Sequence, residues 1–318
     1  MAEASNAVPA DSGEAATGRK PQAFAGALLA VIIFGGSFVA GRQGALAGLG
    51  PIDLVALRYV VSGLIFLPIL WRGGLKDLGG LGWPRGIVLT ALAGAPYFFA
   101  VMLGLHYAPA AHGAVLNPGA TPIAGLIFGL LLLGERPAAG VVIGLPLMLG
   151  GLVLVAGPAF QATGKDVWLG DVILIAAGIA YGLFTALLRR WRVPALRATA
   201  AIAVLSAVLW LPAYSMFADT AVLVRVPAVE VIGQAVFQGA LVSGLAVFLY
   251  AHSVTVLGPA RAGQFPALVP VVGTVLAALL LGEPLSLWQG AGVAAVCGGL
   301  FLAVWQPARR NKGKAHLP

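Results

Sequence analysis

Two stretches decide how this chain is read: His112–Arg136, HGAVLNPGATPIAGLIFGLLLLGER, and Ala260–Pro284, ARAGQFPALVPVVGTVLAALLLGEP. Offset by 148 positions, they agree at nine of 25 residues. Pro118 meets Pro266, Pro122 meets Pro270, Gly125 meets Gly273, and the Leu-Leu-Leu-Gly-Glu ending 131–135 meets 279–283. Apolar composition gives chance agreement, but not two paired prolines and a shared Gly-Glu. Each stretch reads as an apolar helix with two prolines one turn apart. A proline removes a backbone donor and crowds the carbonyl four residues back, so a kink is expected at both. Pro118, Pro122, Pro266 and Pro270 are therefore candidate hinges. A break inside a bilayer is tolerated where the freed groups face protein or a wet cavity. Paired interrupted helices in two halves point to a transporter's binding site.

The surrounding chain fits a bilayer. Its 318 residues are 60% hydrophobic and 9% charged, with mean hydropathy +0.96. Soluble domains carry about 25% charged residues. Ten apolar runs of roughly spanning length are expected near 24–45, 53–71, 86–106, 111–133, 139–157, 169–188, 196–216, 228–252, 259–281 and 286–305. The 44 glycines and 21 prolines suit close helix packing and kinking in lipid. The net charge of +8 is a topology signal, not a nucleic-acid footprint. With the N-terminus inside, fifteen of the 19 Lys and Arg fall on the cytoplasmic side. Arg42, Arg58, Lys165 and Arg225 fall outside. That bias places both termini in the cytoplasm. Residues 1–22 read as a disordered cytoplasmic tail without a signal-peptide pattern, so the first span is expected to stay as an anchor. Cys297 is the single cysteine, so there is no internal disulfide.

Further pairings extend the repeat. Phe34-Gly35 matches Tyr181-Gly182 and Arg42 matches Arg189 at an offset of 147. Leu67-Pro68 matches Leu211-Pro212 at 144. Each half holds five spans, an odd number, so the second half enters the membrane from the opposite side. The expected fold is an all-α integral membrane protein with ten transmembrane helices in two inverted five-helix repeats. The halves are set at 23–158 and 168–306, followed by a basic cytoplasmic tail, 307–318.

These residues resemble the EamA-type branch of the drug/metabolite transporter superfamily. The resemblance rests on Phe34-Gly35-Gly36-Ser37-Phe38-Val39-Ala40, on Pro51 through Leu57-Arg58-Tyr59, and on the two Pro-to-Leu-Gly-Glu stretches, 122–135 and 270–283. It spans nearly all of 24–305. It implies two inverted five-helix bundles around a central cavity, and export of small metabolites or drugs from a bacterial cytoplasm across the inner membrane. One departure is Phe34, where the family usually has Trp.

No acidic residue falls mid-span in this reading, which leans away from organic-cation export and toward neutral or zwitterionic solutes, amino acids among them. Glu135 and Glu283 end equivalent spans, where the helix dipole is unfavourable to a carboxylate, so each needs a donor; Arg136 is a candidate for Glu135. Arg58, inside span two, either snorkels outward or offers its fork to a substrate carboxylate together with Arg42. His112, Asn117 and Thr121 share a broad face of span four, and Gln264 is their counterpart on span nine. Ser37, Tyr97, Tyr181 and Gln238 complete the cavity candidates. His112 is the candidate proton carrier, should a proton be the coupling ion, although a histidine satisfied by a neighbour is the commoner case. No metal or cofactor site is expected: His106 and His112 are six apart, and no His-Glu-x-x-His run occurs. Ser37 lacks the setting of a nucleophile elbow, which disfavours an intramembrane enzyme. A secondary exporter working by alternating access on a small molecule is the expected function; a multidrug exporter or a passive uniporter of the same fold is the alternative.

Overall fold

The computed structural model describes residues 12–134, 139–156 and 166–304. Glu135, Arg136, Lys165 and the C-terminal tail lie outside the described residues. All described regular structure is helical. Seven helical stretches are long and apolar enough to cross a membrane, and three shorter apolar helices accompany them: Ala139–Val155, Phe265–Leu281 and Leu287–Ala303.

The first helix, α1, runs Ser12–Leu46, so residues 12–22, expected as tail, are helical. The Glu-Ala-Ala run at 14–16 favours helix, and extending a formed helix costs far less than nucleating one. Then come α2 (Pro51–Gly73), α3 (Trp83–Ala93), α4 (Ala95–Tyr107) and α5 (Ala110–Leu133). After these follow α6 (Ala139–Ala156), α7 (Val167–Trp191), α8 (Ala195–Phe217), the short α9 (Val222–Arg225) and α10 (Ala228–Gln234). A π-helical segment, Ala235–Ala246, joins α10 to α11 (Val247–Leu257). The described residues end in α12 (Pro259–Ala262), a 3-10 turn at Phe265–Leu268, α13 (Val269–Leu281) and α14 (Leu287–Val304).

The expected kinks divide unequally. Span four stays helical across Pro118 and Pro122. Span nine breaks, because Pro259, Gly263 and Pro266 fall within eight residues and leave room only for the single turn α12 and the 3-10 turn. A further break divides span three at Gly94, just before Pro96. The Ala95 amide freed there donates to Ser206 Oγ on α8 at 2.9 Å, so that amide is not left bare in the membrane.

Glycines set the helix contacts. In lipid, helices gain little from hiding apolar surface and associate by close backbone approach. A Cβ on Gly182 of α7 would stand 2.5 Å from Ala124 Cβ and 2.7 Å from Thr121 O of α5. Gly178, one turn earlier, is equally tight against Asn117 O. Gly35 of α1, Gly273 of α13 and Ala114 of α5 meet at one point, so spans four and nine touch each other. Gly144 and Gly151 of α6 seat on Gly299 and Gly292 of α14. Large apolar side chains such as Leu131, Leu279 and Val153 turn outward.

Candidate functional site

A polar and aromatic layer crosses the middle of the bundle. Counting 1.5 Å per residue, Ser37, Arg58, Tyr97, Asn117, Tyr181 and Gln238 lie roughly 10 to 20 Å along their helices from the Leu46/Pro51 end of the bundle. They come from α1, α2, α4, α5, α7 and the π segment. The π segment approaches α2 closely because position 239 is glycine, where a Cβ would meet Val61 Cβ at 2.5 Å and Arg58 O at 2.9 Å. Gln238, fully buried, uses that approach. Its Nε2 donates to Ser37 O at 2.9 Å, and its Oε1 accepts from Arg58 Nη1 at 3.3 Å. Ser37's own hydroxyl is spent on Phe34 O, one turn back.

Arg58 is the focus of this layer. Its guanidinium lies 4.2 Å from the Phe98 ring centre and 6.0 Å from that of Tyr59. Tyr97 and Tyr181, of the same layer, pack ring to ring at 5.1 Å. Tyr97 donates to Asn117 Oδ1 at 3.0 Å, which ties α4 to α5. Beside them, Phe99 packs on Trp210 at 5.5 Å. Among the described residues no carboxylate lies within ion-pair distance of Arg58, and its Nε is buried with no partner. A cation at membrane depth is costly and is normally paired. Here the cation is prepaid by two aromatic faces and one amide, and a donor is left over.

The α4–α5 corner is held differently. Arg42 donates through Nη1 to Leu105 O and His106 O, each at 2.9 Å, capping the end of α4. Glu283 accepts from the Ala110 and Ala111 amides at 3.2 and 3.4 Å, capping the start of α5. The carboxylate thus leaves the unfavourable end of α13 for the favourable end of a neighbour. Arg42 Nε and Glu283 Oε1 stand 3.7 Å apart. Arg42 Nη1 is thus committed to the end of α4 and its Nε faces the Glu283 carboxylate without a hydrogen bond, so Arg42, unlike Arg58, has a counter-ion and does not join the Arg58 cluster.

His112 also stands apart from Arg58. Its Nδ1 lies 2.8 Å from Asp171 Oδ1, and its Nε2 lies 2.8 Å from Gln289 Nε2. His112 and Asp171 are 2% and 1% exposed, so an acid is buried in the first turns of span six. The sequence expectation concerned mid-span acids, and Asp171, near the start of α7, is buried without being one. Asp53 is a second buried acid, and it caps α2 through Gly50 N and accepts from the Tyr214 hydroxyl at 2.8 Å. Thr121 turns its hydroxyl onto Asn117 O of its own helix. Gln264 sits in the turn between α12 and the 3-10 segment, and among the described residues no hydrogen bond links its side chain to Asn117. Asp171 and Gln289 were missed as partners of His112, since contacts across 59 and 177 residues leave no mark in local spacing.

A multi-pass helical membrane protein with an aromatic and cationic centre and no cluster of metal-binding side chains among its described residues is the class that fold and site define. The chain belongs to the EamA-like transporter family, which it matches twice, over residues 22–157 and 168–305. It is thus a transporter of the drug/metabolite type, not an enzyme, and it moves a small molecule across a lipid bilayer. It is 26% identical to the uncharacterized transporter YetK of Bacillus subtilis over 86% of this chain and 84% of that one. It is 30% identical to an uncharacterized protein of Pseudomonas aeruginosa over 86% and 92%, and 25% identical to the aromatic amino acid exporter YddG of Salmonella typhimurium over 89% and 97%. One solved crystal structure shares the fold, with a TM-score of 0.58 at 20% identity over 90% of this chain and 96% of that one.

Proposed function

We propose that this transporter exports amino acids, aromatic ones foremost, across the bacterial inner membrane by alternating access. The single observation that carries the reading is Arg58: a half-buried guanidinium at membrane depth with a free donor, no carboxylate within ion-pair distance among the described residues, and a wall of Phe98, Tyr59, Tyr97 and Tyr181. A forked cation suits a carboxylate, and aromatic faces suit a flat side chain. The aromatic amino acid exporter among its relatives agrees with that chemistry. A site centred on an unpaired cation disfavours organic cations as substrates.

The ten-span, inverted architecture is supported by the packing. Span one packs on nine as six packs on four, and three on six as eight on one. Two on eight is mirrored by seven on three, while two pairs with seven, four with nine and five with ten. Each of these contacts has its counterpart five spans on, as a two-fold repeat requires. With the charge bias, this supports both termini in the cytoplasm and two repeats at 23–158 and 168–306. Asn117, Tyr97, Tyr181, Gln238 and Arg58 are the proposed substrate contacts, and span nine's break at Pro266 and Pro270 is the proposed hinge. The test is proteoliposome transport of a labelled amino-acid panel. Phenylalanine, tyrosine and tryptophan should move fastest. A well-folded preparation that moves organic cations and no amino acid refutes the proposal.

A further inference from the structure

The His112 cluster contains a device that the substrate reading does not use. Gln289 belongs to a capping box ahead of α14: its amide N donates to Ser286 Oγ at 3.2 Å, and its Oε1 accepts from Ser286 N at 3.0 Å. That second bond fixes which way the side-chain amide faces. The atom turned to His112 is Nε2, which carries only donors. His112 Nε2 must then be a bare acceptor, with its Nδ1–H given to Asp171 Oδ1. The conformation therefore holds the unprotonated ring. A proton arriving at His112 Nε2 would set two donors face to face at 2.8 Å. The amide cannot simply flip, because flipping would break the capping box.

We infer that His112 is a proton-binding site whose occupation unlatches the Ala110 end of the bundle, by expelling Gln289 and the start of α14 from α5. The step is a protonation alone: one proton passes from water to Nε2, the ring becomes an imidazolium, and the Gln289 bond is lost. Asp171 makes the charge tolerable in its buried place, and its Oδ2, buried and without a partner, lets the carboxylate keep hold of Nδ1–H as the ring shifts. The released segment follows directly on Glu283, which clamps Arg42 and the α5 start. By linkage, a proton that binds the unlatched form better shifts the population toward it.

The surrounding charges are few. Arg42 comes from α1, His106, Tyr107 and Tyr97 from α4, and Glu283 from the end of α13. From α7 come Asp171 and, just ahead of its first turn, exposed Asp166. The described parts of α6 and α14 bring no charged residue. None but Asp171 is within hydrogen-bond distance of the His112 ring.

The proposal rests on the transporter family alone and not on the choice of substrate, so its test measures a distance rather than transport. Spin labels are placed at Trp168→Cys and Leu287→Cys, both exposed first-turn positions of α7 and α14, in a Cys297→Ser background. Their distance distribution is measured in lipid nanodiscs at pH 7.5 and pH 5. Acid should add a longer distance population, and His112→Gln should abolish that response. Gln289→Leu, which removes the latch without touching the ring, should show the longer population already at pH 7.5. An acid-insensitive parent, an intact acid response in His112→Gln, or a short distance at both pH values in Gln289→Leu overturns the proposal. Amino-acid transport by the parent protein would survive any of those results.

Discussion

Arg58→Leu should separate carboxylate recognition from every other part of binding. In the resting site Arg58 gives one Nη1 bond to Gln238 and leans on Phe98, while Nε is unclaimed. A substrate carboxylate would take Nε and a neighbouring Nη in a two-pronged contact. Hydrogen bonds to charged groups contribute about 1.5–3 kcal/mol each, and removing one partner leaves the other charge poorly solvated. Allowing for the water that the carboxylate gives up, about 3 kcal/mol is a reasonable net value, or roughly a hundredfold in apparent affinity. Gln238 also loses a partner in Arg58→Leu, so an overall loss would not by itself identify the carboxylate. The discriminating assay compares phenylalanine with phenethylamine, which keeps the ring and amine and lacks the carboxylate, as competitors of labelled substrate in proteoliposomes. Phenylalanine should weaken by about a hundredfold while phenethylamine stays within a fewfold. Arg58→Lys should recover only part of the loss, since a point charge cannot form the fork. Equal losses for both competitors, or no loss for either, would refute a carboxylate at Arg58.

Two stability predictions follow from the packing. Gly182→Val would drive side-chain atoms into Ala124, Thr121 and Gly125 of α5, so the α5–α7 contact must open; overpacking of this kind costs about 1–3 kcal/mol, and a lowered unfolding temperature in detergent with reduced transport is the expected result. Ser206→Ala leaves the Ala95 amide without its acceptor at the span-three break; a loss of about 1–3 kcal/mol should appear in thermal unfolding, and Ser206→Thr should restore most of it.

Much of this protein is local and therefore legible in the order of its residues. Apolar run length, the paired prolines, the doubled Leu-Gly-Glu and the one-sided distribution of Lys and Arg each act within a single helix or its flanks, so the chain alone points to membrane helices, a repeat and a transporter family. Arg58, Tyr97, Asn117, Tyr181 and Gln238 were singled out for the same reason: polar or aromatic groups in apolar spans seldom face lipid. Tertiary structure decided which of these meet. It drew Arg42 away to the end of α4 and gave Glu283 to the start of α5, a neighbour 173 residues distant. It set His112 between Asp171 and Gln289. Those outcomes depend on which helix faces pack together, and that is set by glycine contacts between distant segments, such as Gly182 on Ala124 and Gly273 on Ala114. No periodicity within one helix encodes the identity of the partner across it.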